Sequence, residues 1–113
     1  MKAELKGLVS PDLTKPHTPD DPGNCAVLME AELGPKGQEG AEIFTFVVVT
    51  PKWLEANVEC RWGRGYLLVP EFSWHELERM LGRLVSATSG ESWDEIANSL
   101  SKFMDWEFER YEE

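Results

Sequence analysis

The side chains here with the clearest capacity for chemistry are two histidines, two cysteines and 21 carboxylates spread over 113 residues. His75, next to Trp74, would need Cys60 as a partner to make a thiolate–imidazole nucleophile. No spacing joins the two and no third group is placed to orient them. His75 therefore reads as a solvated residue in the first turn of a helix, where the helix dipole disfavours its charged form. His17 falls in a proline-rich stretch. Cys25 and Cys60 stand 35 positions apart with no CxxC spacing, which excludes a zinc knuckle, and both read as ordinary thiols. Glu30 and Glu32 share one side of a strand at a separation of about 6.5–7 Å, a distance compatible with inverting hydrolysis or a weak cation site. Neither a calcium loop nor histidine co-ligands accompany them, so an ordinary charged sheet face is the simpler reading. Gly34 to Gly40 reads GPKGQEG; it lacks the GK[ST] ending of a phosphate loop and leads into a strand, so its glycines are turn residues. The expectation is a protein without catalytic residues, cofactor or metal.

The elements that must carry these residues follow from periodicity. Residues 2–9 alternate, with Ala3, Leu5, Gly7 and Val9 on one face, which is strand patterning. Four prolines between Ser10 and Asn24 make a loop. A second strand should bury Val27, Met29, Ala31 and Leu33 and offer Glu30 and Glu32 to solvent. After the glycine-rich turn, Phe44, Phe46 and Val48 oppose Ile43, Val47 and Val49, as in a central strand covered on both sides; the two strands form a hairpin. Pro51 to Leu54 opens a helical turn, and Tyr66 to Val69 reads as a short strand. Ser73 with Glu76, and Ser92 with Glu95, are capping boxes that open two helices. Trp74, Leu77, Leu81, Leu84 and Val85 form the apolar face of the first, with Gly90 as its stop. Trp93, Ile96, Ala97, Leu100, Phe103 and Met104 form that of the second. From Trp106 the pattern alternates again, as in an extended tail that lays Trp106 and Phe108 on the body. The sum is one α+β domain over residues 1–113: an antiparallel sheet of about four strands with two C-terminal helices on one face, a loop at 10–24, a helical pair at 73–105 and an acidic tail at 106–113. A partial barrel around the helices fits the same pattern.

The formal charge is -10. That excess repels phosphate, so nucleic acid and anionic membranes are excluded as partners; the chain is expected to be soluble, or to meet a basic protein. The first residues lack the apolar stretch of a secretion signal, so a cytosolic location is expected. Eight of the 21 acids but only two of the 11 bases follow Gly90. Glu91, Asp94 and Glu95 complement the second helix dipole, whereas Asp105, Glu107, Glu109, Glu112 and Glu113 have no such local role. Of the five tryptophans, Trp74, Trp93 and Trp53 are assigned to the core. Trp62, between Arg61 and Arg64 on a glycine-rich turn, suits an interface equally well.

Several segments together resemble a known family. They are Met1-Lys2-Ala3-Glu4-Leu5-Lys6-Gly7 followed by Pro11-Asp12, then Thr50-Pro51-Lys52-Trp53-Leu54, Phe72-Ser73-Trp74, and Trp106-Glu107-Phe108-Glu109-Arg110-Tyr111. The family is immunity protein 8, small bacterial proteins encoded beside polymorphic toxins, and the likeness spans nearly the whole chain. It implies an antitoxin that binds a cognate toxin domain and blocks its active site or substrate access, with no catalytic residue of its own; the mechanism expected is stoichiometric occlusion. Acidic side chains would then stand where the toxin expects a polyanionic substrate. The expected partner-binding residues are Glu30, Glu32, Glu107 and Glu109, with Asp20 and Asp21 in the loop and Trp62 as the aromatic anchor. Two other readings stay open at this point: an acidic interaction module unrelated to toxins, and a small hydrolase using Cys60 and His75.

Overall fold

A computed structural model describes residues 1–57, 59 and 63–108. The strands are β1 (Ala3–Val9), β2 (Ala26–Pro35), β3 (Glu42–Val49), β4 (Tyr66–Leu68) and β5 (Asp105–Trp106); the helices are α1 (Pro51–Ala56), α2 (Trp74–Ser86) and α3 (Trp93–Leu100). They form an α+β domain around a mixed, mostly antiparallel sheet in the order β1-β2-β3-β4, with β5 also pairing β3. β2 and β3 are the expected hairpin, in register from Ala26 opposite Val49 to Leu33 opposite Glu42. Gly37 and Gly40 take the left-handed φ values of 79° and 99° that close the connection, a conformation only glycine adopts cheaply.

The far edge of β3 is shared. Its second half pairs with β4 in parallel, Val47 beside Tyr66, and its first half pairs antiparallel with β5, Phe44 opposite Trp106. The sheet is mostly antiparallel, as expected, and the β3–β4 pairing is its parallel exception. The reason is the crossover through α1, which carries the chain back along β3 so that β4 starts beside Val47 and runs in the same direction.

One sheet face and the helices enclose the core. Met29, Leu33, Phe44, Leu77, Ile96 and Leu100 are fully buried, each adding about 1.5–3 kcal/mol to the folded state by leaving water. Trp106 stacks on Phe44 with ring centroids 6.2 Å apart, so the expected docking of Trp106 on the body is present, while Phe108 lies edge-on to it and remains exposed. Glu42 ties the layers together: one of its carboxylate oxygens accepts the indole N–H of Trp93 at 2.7 Å and that of Trp106 at 2.8 Å. Trp74 is buried and Trp93 packs against the core, as assigned; Trp53 is half-buried.

Several local expectations are corrected. Strict alternation in β1 breaks at a bulge, because Leu5 pairs with Leu33 but Gly7 pairs with Glu32. The extra residue turns Leu8 into the core and leaves Val9 exposed, as a one-residue shift must. Both serine caps form, Ser73 Oγ accepting from Glu76 N and Ser92 Oγ from Glu95 N, each at 3.2 Å. The glutamates are engaged elsewhere: Glu76 pairs with Arg79 at 2.7 Å and Glu95 accepts from Glu91 N. α2 ends at Ser86 with Ala87 as its cap, and not at Gly90, its last turn closed by Ala87 N–H and by the Thr88 hydroxyl donating to Leu84 O. α3 ends at Leu100, so Phe103 leaves the apolar face assigned to it and is 54% exposed. β3 is covered unequally. Phe44, Phe46 and Val48 are buried, while on the other face Val49 is buried but Ile43 and Val47 are half-buried.

Candidate partner-binding surface

The face of the sheet opposite α2 and α3 is built by side chains that alternate away from the core. Because Val27, Met29, Ala31 and Leu33 point inward, Leu28, Glu30 and Glu32 point outward. The β2–β3 register sets Glu30 beside Thr45 and Glu32 beside Ile43. Across the next edge, β5 sets Asp105 beside Thr45, and Glu107 continues the ladder by donating its N–H to Ile43 O at 3.0 Å. Two cross-strand rows result, Val9–Glu30–Thr45–Asp105 and Gly7–Glu32–Ile43–Glu107. Neighbouring strands are about 4.8 Å apart, so Glu30 and Asp105 stand about 10 Å apart across the face.

These groups differ in freedom. Glu30 and Glu32 are half-buried, and Glu32 lies over Gly7, where an added Cβ would meet its Oε1 at 2.5 Å. Glu107 is partly committed to the fold, its Oε2 accepting from Ile43 N at 2.6 Å. Asp105 pairs with Arg64 at 3.0 Å in an exposed bridge of the kind that contributes at most about 1 kcal/mol. A third row adds Leu28, Val47 and Tyr66. Exposed Val9 and Leu28 thus give an acidic face some apolar area, and Lys6 borders it near Gly34.

Asp20 and Asp21 are not part of this surface. Both are exposed, but their loop is held on the helix side: Trp74 Nε1 donates to His17 O, Lys15 pairs with Glu78, and Phe72 N donates to Pro22 O. The Asp21 carboxylate accepts from Gly23 N within its own turn. Trp62 and Glu109 lie outside the described residues, as does Cys60. Asp105 is not among the residues expected from sequence, because a helical pair over 73–105 includes it; the alternation of Trp106 and Phe108, extended back one residue, places it on the strand.

Among the described residues no group of three or more His, Cys, Asp or Glu side chains is placed to hold a metal. Burial, reinforced by the Asp21 carboxylate, raises the Cys25 thiol above its ordinary pKa, which keeps it protonated and a poor nucleophile. His75 is exposed in the first turn of α2. No helix among the described residues is long and apolar enough to cross a membrane.

A small α+β domain with a half-exposed acidic sheet face has the features of a binding protein. The family model for immunity protein 8 matches residues 3–111, and the chain belongs to that family, the non-enzymatic immunity proteins of bacterial polymorphic toxin systems. Membership implies toxin neutralisation and a cognate toxin as partner. No curated protein and no solved structure matches the chain.

Proposed function

We propose that the protein neutralises its cognate toxin by one-to-one occlusion, and that the sheet face bearing Glu30 and Glu32 is the contact. The observation carrying this reading is the alignment of Glu30, Glu32, Asp105 and Glu107 in two adjacent cross-strand rows. Carboxylates in a regular array complement a basic surface and speed encounter with it. The partner would then be a toxin domain whose substrate is polyanionic, and the acidic rows would cover the groups that bind that substrate. Val9 and Leu28 supply apolar area at the same face, where excluding water strengthens the charged contacts.

The test is co-production with the toxin domain encoded beside it. Wild-type protein is expected to protect the cell and to elute with the toxin as a one-to-one complex. The double reversal Glu30→Lys with Glu32→Lys should weaken binding about 100-fold while leaving the circular dichroism spectrum unchanged. Protection and affinity equal to wild type in that variant would remove this face from the contact. Cell death despite wild-type protein would sink the reading altogether.

A further inference from the structure

A second surface lies around the edge of the sheet from the acidic rows, where β4 and β5 meet end to end along β3. There the chain leaves a cavity of about 350 Å³, within the range of built binding pockets. Its floor is apolar: Phe46 from β3, Leu67 from β4, and Leu81 with Leu84 from α2. Its mouth carries Met80, 39% exposed, and Phe103, 54% exposed. The backbone explains why the cavity exists. α3 ends at Leu100 and the chain turns through 101–104 before β5, so Phe103 stands at the rim instead of filling the space.

The charge of the cavity opposes that of the protein. Acids outnumber bases 21 to 11 in the sequence, yet Arg64 and Lys102 line the cavity and no acidic side chain does so among the described residues. Arg64 is engaged by Asp105 and by Met104 O. Lys102 has no carboxylate partner among the described residues. An apolar floor with a cation at its lip complements an apolar group that carries a negative charge beside it. Exposed methionine and phenylalanine at the mouth favour a protein segment over a small ligand, since such side chains supply adaptable contact area at interfaces.

We infer that this cavity is a docking site for a partner segment that inserts one bulky apolar side chain and places an adjacent carboxylate on Lys102. Beside the proposed sheet-face contact, this is a separate surface of opposite polarity, apolar and cation-rimmed. This inference stands whether or not the sheet face binds a toxin.

Methionine methyl NMR tests it directly. Met80 and Met104 line the cavity, whereas Met1 and Met29 do not, so each sample carries its own controls. The probes are two capped peptides, Glu-Phe-Leu-Glu and Lys-Phe-Leu-Lys. The acidic peptide should shift the Met80 and Met104 signals saturably, leave Met29 unmoved, and bind more tightly than its basic twin. Lys102→Glu, an exposed change that leaves the cavity floor intact, should weaken the acidic peptide about five-fold, the upper range for one solvent-exposed ion pair. If neither peptide moves the two methyls, or if both bind alike and Lys102→Glu changes nothing, the assignment is overturned.

Discussion

Thr50 shows how much one hydroxyl can hold. It is fully buried at the junction of β3 and α1, where its Oγ1 accepts from Cys25 N at 3.1 Å and from Trp53 N at 3.4 Å and its backbone N donates to Cys25 O. One side chain therefore caps α1 and ties it to the start of β2. Thr50→Val keeps the shape, removes the cap and leaves the Cys25 N–H without its acceptor. It should lower the unfolding free energy by about 2 kcal/mol, read as a lower urea midpoint at unchanged slope, and Thr50→Ser should recover most of the loss. The helical turn is legible in sequence, because proline suits its first position; that Thr50 caps it is shown by the structure. The tie to Cys25 is not legible there, since it joins residues 25 apart that meet only when the β2–β3 hairpin closes.

At the scale of elements, two glycines make opposite predictions. Gly34 sits in β2 where a Cβ would meet the backbone oxygen of Gly40 at 2.2 Å, whereas Gly82 in α2 has open space around its Cα. Gly34→Ala should destabilise by about 1–3 kcal/mol, because the hairpin backbone must move. Gly82→Ala should stabilise by about 0.5–1 kcal/mol through helix propensity alone. Thermal denaturation of both variants separates them by sign. Helix starts were readable because a serine cap acts within its own turn; helix ends were less so. α2 is capped by Ala87, three residues short of Gly90, since the local Thr88–Leu84 bond closes its last turn. The β1 bulge was hidden for a different reason. Which residue of a strand is extra depends on the partner strand, and here Gly7 makes room for Glu32 from β2.

For the whole molecule, the charge distribution sets a kinetic expectation that rests on the proposed sheet-face contact. Raising salt from about 0.1 to 0.5 M should slow association with the toxin about ten-fold while changing dissociation far less, since screening acts chiefly on the encounter. Stopped-flow binding measures both rates. An association rate indifferent to ionic strength would separate the acidic rows from the encounter and leave the apolar residues of the face to explain binding.

Hydropathy period and capping chemistry are local properties, and by themselves they determined the α+β class, the hairpin, the helix starts and the outward aim of Glu30 and Glu32. Family membership was likewise legible in short aromatic and charged segments spread along the chain. What only the tertiary structure decided is which distant residues share a surface. β5 returns to the edge of β3 and brings Asp105 and Glu107 beside Thr45 and Ile43, while the 10–24 loop docks on the helix side and takes Asp20 and Asp21 away. Residues 102–104, leading into β5, also close one side of the cavity over β4 and α2. Strand pairing and loop docking are set by contacts between segments far apart in sequence, and their geometry appears only once the core they share has closed.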